Sequence, residues 1–442
     1  MEQKTQKGLN IKKMMSNLII PTAKSPLEAW LSYLTDLHSQ NIDMGLERVG
    51  QAARQMNLTQ PAPRVITVTG TNGKGTTCHT LEAILMAAGL KVGVYSSPHL
   101  VRYTERVRIQ GKELTENAFC QAFATIEAQR GNISLTYFEY GTLAALQLFK
   151  QAELDIVILE VGLGGRLDAT NVVDADIAAI TSIALDHTDW LGSDREHIGH
   201  EKAGIFRQGH YGVVGEPDMP DAIGAYADKI GTMLFRRGKD WHYQEYADHW
   251  SWESPQRSWE DLPLPNVPLA NAATAMGVIS CLMEIDPVLA QKITNKAIHQ
   301  GLSTAQLPGR FQIIGENPLM ILDVAHNPHA AGYLVSKLAQ LPRREGRRIR
   351  AVVGMLGDKD IQGTLTCLSQ QVTDWYLAPL REFRGADVTE LSKHIDGAHE
   401  FDSVEAAWRQ ACVDAKPQDV IVVCGSFHTV AHVMMLLEKT EG

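Results

Sequence analysis

The stretch Thr69-Gly-Thr-Asn-Gly-Lys-Gly-Thr-Thr77 constrains the fold more than any other part of the chain. It follows Val65-Ile-Thr-Val68, a β-branched run that reads as a buried strand. It precedes Leu81, Ile84, Leu85 and Ala88, whose i, i+3, i+4, i+7 spacing marks one face of a helix. Strand, glycine loop and helix in direct succession make a phosphate loop. Glycines at 70, 73 and 75 let backbone N–H groups turn inward. The helix N-terminus adds partial positive charge. Lys74 is placed to reach β- and γ-phosphates. The match to the common pattern is imperfect: G-x-x-x-x-G-K-[ST] asks for glycine at Val68 and a hydroxyl at Gly75. Thr76, one place later, is the hydroxyl candidate. The competing reading is a glycine-rich turn with a solvated lysine.

A phosphate loop of this kind belongs to a parallel sheet covered by helices, and the rest of the chain carries the matching alternation. Strands are expected at 92–95, 154–159 and 177–183. The segment 241–268 differs, with Trp241, Trp250, Trp252 and Trp259 followed by Pro263, Pro265 and Pro268. It reads as short antiparallel strands and a proline-stiffened loop, with a helix from about Ala270. Leu307-Pro-Gly-Arg310 breaks the pattern and suits a linker. A second alternating region follows, with strands expected at 320–323, 349–353, 375–378 and 420–424. The expected fold is α/β: an N-terminal P-loop-type ATPase domain with a mostly parallel sheet, then a smaller Rossmann-like α/β domain. The expected division is an N-terminal extension over 1–24, a central domain over 25–302, a linker over 303–310 and a C-terminal domain over 311–442.

At 442 residues, with 44% apolar and 21% charged side chains, the chain has ordinary soluble composition and enough length for two or three domains. It has no apolar run of the roughly 18–20 residues a membrane helix needs. The first residues are basic but lack an apolar core, so a secretory signal is not expected; a flexible extension, or a start at Met14 or Met15, fits better. A net charge of −10 argues against a general nucleic-acid binder while leaving anionic small substrates open. Six cysteines without a C-x-x-C pair fit reduced thiols in a cytoplasmic protein.

The candidate chemistry lies at strand ends. Asp155-Ile-Val-Ile-Leu-Glu160 ends an apolar run in a carboxylate. In a parallel sheet, ligands bind beyond the carboxyl ends of the strands, so Glu160 faces the same crevice as Lys74. A hard oxygen ligand there suits Mg²⁺, although such an acid also serves as a helix cap or ion-pair partner. A glycine-rich loop, 161–171, follows it. The next strand leads to His187 and Asp189 near the same edge, where a lone histidine is as readily structural. Lys202 gains no role from spacing and reads by default as solvated or ion-paired.

Gly70-Thr-Asn-Gly-Lys-Gly-Thr76, Ser96-Ser-Pro-His-Leu100, Glu160-Val-Gly-Leu-Gly-Gly-Arg-Leu-Asp-Ala-Thr-Asn171, Leu185-Asp-His-Thr188, Glu201-Lys-Ala-Gly-Ile205, Pro308-Gly-Arg-Phe311 and Asp323-Val-Ala-His-Asn-Pro328 occur in this order. Together they resemble the dihydrofolate synthase/folylpolyglutamate synthase family, in its bifunctional form, within the Mur-ligase superfamily. The likeness runs from about Ser25 to about His432.

The resemblance implies that ATP binds through Thr71, Asn72, Gly73, Lys74, Gly75 and Thr76, with Asn271, Arg310 and Asp323 also contacting the nucleotide in a cleft between domains. It implies two Mg²⁺ ions held by Ser97, Glu160, His187 and Lys202, the last as a carbamate. Lys74, Glu160, His187 and Lys202 are thus the expected catalytic set. Pterin contacts are implied at Asp43 and Met44, at Thr136 and Phe138, and at Leu167, Asp168 and Ala169. Without the resemblance, Phe138 serves equally well as a core residue. His326 is expected to face the incoming glutamate.

The implied reaction is amide formation. ATP converts a carboxylate to an acyl phosphate, which the α-amine of L-glutamate attacks, and domain closure keeps water out. The implied acceptors are dihydropteroate and reduced folates, in a cytoplasmic monomer with no nucleic-acid or membrane partner. Other readings are a folylpolyglutamate synthase without dihydropteroate activity, a Mur-type cell-wall ligase, and a non-catalytic nucleotide-binding module.

Overall fold

The computed structural model describes residues 19–38, 43–342, 344–382 and 384–441. They fall into two compact units: one contains the residues up to Ser97 and Thr104–Ala305, the other Pro98–Tyr103 and the residues from Gln306 onward. Residues 1–18 of the expected extension lie outside the described residues. Just beyond them, the Thr22 carbonyl accepts Ser25 N–H at 2.9 Å and the Trp30 indole N–H at 3.0 Å.

The first unit is built on an eight-stranded sheet. Its strands are β1 (Arg64–Thr69), β2 (Val92–Tyr95), β3 (Val107–Ile109), β4 (Lys112–Glu113), β5 (Ile156–Glu160), β6 (Ile177–Ile180), β7 (Tyr211–Val214) and β8 (Met233–Arg236), in the order β4-β3-β2-β5-β1-β6-β7-β8. The six strands from β2 to β8 in that order pair in parallel, and β3 and β4 add an antiparallel edge. β1 lies at the centre and is buried on both faces from Val65 to Thr69, which is why it reads as a continuous apolar and β-branched run. Val68 stands opposite Glu160 and Thr69 opposite Ile180. The carboxyl ends of β2, β5, β1 and β6 therefore lie side by side, and the loops leaving them meet at one edge.

Two differences from the sequence expectation follow from tertiary context. The strand expected over 177–183 ends at Ile180, because Thr181 and Ser182 turn toward the phosphate loop. The β3–β4 hairpin was not anticipated; its Gln110-Gly111 turn takes positive φ at both residues, as a two-residue hairpin demands.

The tryptophan-rich segment forms a separate antiparallel sheet of β9 (His242–Glu245), β10 (His249–Glu253) and β11 (Ser258–Pro263). Trp241, Trp250 and Trp252 are fully buried, and Trp241 stacks on Trp252 at 5.8 Å. The Trp252 indole N–H donates to the Ala273 carbonyl at 3.1 Å. That bond and the surrounding apolar cluster seat the helix Leu269–Ile285, whose first turn carries Asn271. The helix Lys74–Ala87 is seated from another side. A Cβ at Gly301 would stand 2.4 Å from the Ile84 Cα, so only glycine allows the helix Asn295–Thr304 to approach so closely.

The second unit has a six-stranded sheet, ordered β12-β13-β17-β14-β15-β16. These are β12 (Gln312–Glu316), β13 (Leu319–Leu322), β14 (Ile349–Val353), β15 (Asp374–Leu377), β16 (His399–Glu400) and β17 (Val420–Cys424). All pairs are parallel except β12–β13. β17 and β14 are buried throughout, with apolar clusters on both faces of the sheet. Both units are α/β, with a mostly parallel sheet in the larger. All six cysteines are free thiols. Among the described residues no helix is long and apolar enough to cross a membrane.

Candidate active site

The phosphate loop leaves β1 and opens the helix Lys74–Ala87. Gly70 and Gly73 have φ of 154° and 87°. A Cβ at Gly70 would lie 1.9 Å from Thr181 Oγ1, and one at Gly73 would lie 2.4 Å from Asn271 Oδ1. The loop after β6 is stitched to it. Thr71 N–H donates to Ser182 O at 2.8 Å, Thr181 Oγ1 to Asn72 O at 2.6 Å, and Thr71 Oγ1 to Ala184 O at 3.0 Å. Thr181 and Ser182 are thus part of the site. Two hydroxyls at a strand end were the signal available in the sequence. Lys74 Nζ donates to Gly70 O at 2.9 Å and Thr71 O at 3.2 Å, so the ammonium lies over the loop. Thr76 Oγ1 donates to Gly73 O at 3.0 Å and accepts Asn271 Nδ2 at 2.7 Å. That hydroxyl is spent within the loop, and Asn271 is fixed against it.

Glu160 ends β5 and is buried. Its Oε2 accepts the Ser97 N–H at 3.3 Å, because β2 is the neighbour of β5 and Ser97 lies just past its end. The Glu160 carboxylate and a hydroxyl on the adjoining Ser97 are hard oxygen donors, the type of ligand that fits Mg²⁺. His187 is exposed on the loop after β6 with φ 51° and ψ 40°. Left-handed backbone at a non-glycine residue costs about 1–3 kcal/mol and concentrates at functional sites. Among the described residues no cluster of three His, Cys, Asp or Glu gathers; the expected ligand set contains only two of those types, Glu160 and His187.

Lys202 departs from its default reading. It is 3% exposed, and among the described residues its ammonium has no hydrogen bond or ion pair. Burial pushes its pKa down to about 7, assisted by the Lys74 charge and opposed by Asp186 and Asp168. Lys202, Lys74, Asp186 and Asp168 therefore share one neighbourhood. A buried amine that is half neutral near pH 7 is reactive toward CO₂, which would convert a costly cation to an anion.

The residues expected around a pterin also converge. Asp168 is buried and accepts four hydrogen bonds from its own loop: Gly162 N at 3.0 Å, Leu163 N at 2.9 Å, Thr170 N at 3.0 Å and Thr170 Oγ1 at 2.7 Å. Its carboxyl is nonetheless raised, because burial outweighs those bonds. Asp168 thus shapes the loop that presents Leu167 and Ala169. Phe138 is half-buried, 6.0 Å from Tyr95, and a Cβ at Gly162 would meet its ring at 2.6 Å. Thr136 caps the helix Tyr137–Gln151 in a reciprocal box with Glu139, an arrangement typically worth about 1 kcal/mol. Arg48, absent from the sequence reading, joins this corner to Asp43. It forms an ion pair with Asp43 Oδ2 at 2.8 Å and donates to Glu139 Oε1 at 3.0 Å. Met44 follows Asp43, half-buried.

In the second unit, Asp323 follows β13 and is buried. Its oxygens accept Phe311 N and Ala325 N, each at 2.8 Å. Burial raises its carboxyl, and the nearby Arg310 charge pulls it back. The Arg310 guanidinium sits 5.5 Å from the centre of the Phe427 ring. His326 Nδ1 donates to the Val324 carbonyl at 2.9 Å, which fixes the ring's orientation. Asn327 then caps the helix Pro328–Gln340. Arg310, Asp323, His326 and Phe427 form one group.

Two family models match the chain: the Mur ligase middle domain over residues 68–220, and the Mur ligase glutamate ligase domain over residues 309–427. The dihydrofolate synthase/folylpolyglutamate synthase of Escherichia coli K12 is 58% identical over 418 residues, covering 95% of this chain and 97% of the relative. A solved structure of E. coli FolC in complex with DHPP and ADP superposes with a TM-score of 0.92 at 58% identity, covering 96% of this chain and 100% of that one. A bifunctional folylpolyglutamate synthase/dihydrofolate synthase solved with Mn, AMPPNP and L-glutamate bound gives 0.89 at 62% identity, covering 95% and 99%. With its phosphate loop, acidic strand end and buried lysine at one sheet edge, and with likeness along nearly its whole length, this chain belongs to the dihydrofolate synthase/folylpolyglutamate synthase family of Mur-type ligases.

Proposed function

We propose that this chain is an ATP-dependent ligase that joins L-glutamate to dihydropteroate, forming dihydrofolate, and to reduced folates, forming folylpolyglutamates. The observation that carries the reading is the full-length likeness to a relative named for both activities, in a chain that brings Lys74, Ser97, Glu160 and Lys202 to adjoining strand ends.

A carboxylate is a poor acyl donor because oxide would have to leave. Transfer of the γ-phosphoryl group from ATP gives an acyl phosphate and ADP. Attack by the glutamate α-amine then forms the amide and releases phosphate. The loop 71–76 cradles phosphates through the backbone N–H groups that follow Asn72, and Lys74 swings from its loop carbonyls to the transferring group, offsetting charge in the transition state. Ser97, Glu160, His187 and Lys202 as its carbamate would hold two Mg²⁺ ions, which supply further neutralisation of phosphoryl charge. Asn271 orders the loop, and Arg310 and Asp323 contact the nucleotide. Phe138 offers a flat face to the heterocycle, with Asp43, Met44, Thr136 and residues 167–169 around it. His326 faces the incoming glutamate. Residues 25–302 are the ATP- and pterin-binding domain, 303–310 the linker and 311–442 the glutamate-ligase domain, in a cytoplasmic monomer.

The test incubates the purified protein with ATP, Mg²⁺ and L-glutamate plus either dihydropteroate or a reduced folate. Phosphate release and product mass are followed. Extension of both acceptors is expected. Extension of the folate alone would reduce the protein to a folylpolyglutamate synthase, and no ATP-dependent product would overturn the reading.

A further inference from the structure

Arg108 lies in β3, on the antiparallel edge, yet its side chain is only 11% exposed. Its Nε and Nη2 donate to Glu82 Oε2 at 3.1 and 2.9 Å, and Glu82 is itself 5% exposed. Its remaining nitrogen, Nη1, donates to Ser96 Oγ at 3.2 Å. The two partners belong to different parts of the site. Glu82 is on the helix opened by the phosphate loop. Ser96 precedes Ser97, whose N–H donates to the Glu160 carboxylate. The Arg106 carbonyl on the same hairpin accepts Ser96 N–H at 2.9 Å, a second tie to that turn. Beneath the loop, the buried Cys78 thiol is pushed well up by burial first, and it also feels Glu160, Arg108, Glu82 and Lys74.

A buried ion pair is a poor device for stability, since desolvation consumes most of its attraction. A planar guanidinium with donors fixed in two directions is a good device for geometry. We propose that Arg108 is a positioning residue for the divalent cation: it fixes the Ser96–Ser97 turn to the phosphate-loop helix, so that the Ser97 hydroxyl and Glu160 keep one register with Lys74. The proposal rests on the reading of Ser97 and Glu160 as cation ligands.

The test measures Mn²⁺ binding by electron paramagnetic resonance, with the full chain and a non-hydrolysable ATP analogue. Melting temperature and the KM for glutamate are read alongside. Arg108→Lys keeps the charge opposite Glu82 but cannot also span to Ser96. It is expected to melt near the wild type yet bind Mn²⁺ about tenfold more weakly, the size of effect seen when a group supporting a metal ligand is lost. Ser96→Ala, which removes only the far contact, is expected to weaken Mn²⁺ in the same direction with KM for glutamate unchanged. Arg108→Gln leaves the buried Glu82 with only His79, 3.9 Å away, so the uncharged Glu82→Gln, Arg108→Gln pair is measured in its place and is expected to bind Mn²⁺ as weakly as Arg108→Lys. Ser97→Ala is the control on the underlying reading. Weakened Mn²⁺ in Ser97→Ala beside wild-type affinity in Arg108→Lys would overturn the role of Arg108 alone. Wild-type affinity in Ser97→Ala would overturn the ligand reading on which it rests.

Discussion

At the scale of single residues, Lys202 shows how far sequence reaches. Its spacing offers a solvated lysine; only the fold, which leaves it 3% exposed, reveals a buried amine. The buried amine, with its pKa pushed down to about 7, supports the proposed carbamate. With the pKa near 7 in the fold and about 10.4 when unfolded, the unfolded chain binds more protons between those values. Stability from this group therefore rises with pH across that window, and its full cost is felt below pH 7. In CO₂-free buffer, Lys202→Met should raise the melting temperature more at pH 6 than at pH 9. Lys202→Ala should lose most turnover and regain part of it with a short carboxylic acid supplied in the assay; full activity without that acid would remove the carbamate. Lys74→Ala should lose turnover by at least about 100-fold while its circular dichroism and melting stay those of the wild type.

At the scale of elements, β1 and the loop after it were legible because each signal is local, whereas β7, β8 and β12 were not expected. Residues 65–69 are apolar and β-branched for burial on both faces, and Gly70 and Gly73 are required by φ and by contact. The reason for Gly73 was not local. The side chain that crowds it, Asn271, comes from a helix nearly two hundred positions later, seated by the tryptophan sheet. Gly73→Ala meets both a left-handed φ of 87° and a 2.4 Å approach to Asn271 Oδ1. We expect it to cost about 1–2 kcal/mol in denaturant unfolding from the backbone alone. Asn271→Ala in the same chain should recover the part due to the clash and none of the part due to φ. Nucleotide affinity, read by calorimetry, should fall in the single variant and stay low in the double. Unchanged stability in Gly73→Ala would mean that the loop relaxes freely and that its ordering by Asn271 is unimportant. The edge hairpin and the early end of β6 stayed hidden for a related reason: both depend on which loop each segment faces, and period-two alternation carries no such information.

At the scale of the whole molecule, a break in the alternating pattern is visible in the sequence near Leu307-Pro-Gly-Arg310, but nothing in it reveals that Pro98–Tyr103 belong with the unit made by residue 306 onward. Only packing shows it. Leu100 packs against the cluster of Val352, Tyr376, Val423 and Val430, and a Cβ at Gly309 would lie 3.4 Å from its Cδ1. Arg102 adds an ion pair to Glu438 at 3.2 Å, but both side chains are more than half exposed, so that pair adds little. Leu100→Ala removes buried methyl groups from that cluster, for a loss of about 2 kcal/mol. The loss should fall on the unit that Leu100 packs in, although the residue sits thirty positions after β1 in the chain. Hydrogen exchange read by mass spectrometry makes the distinction. Amides of β17 and of the helix Phe427–Glu441 should exchange faster in Leu100→Ala, and those of β1 and of the helix Lys74–Ala87 should keep their wild-type protection. Faster exchange in β1 with none in β17 would show that residues 98–103 contribute stability to the first unit instead. That would leave the second unit's cohesion to residues 306–442 alone.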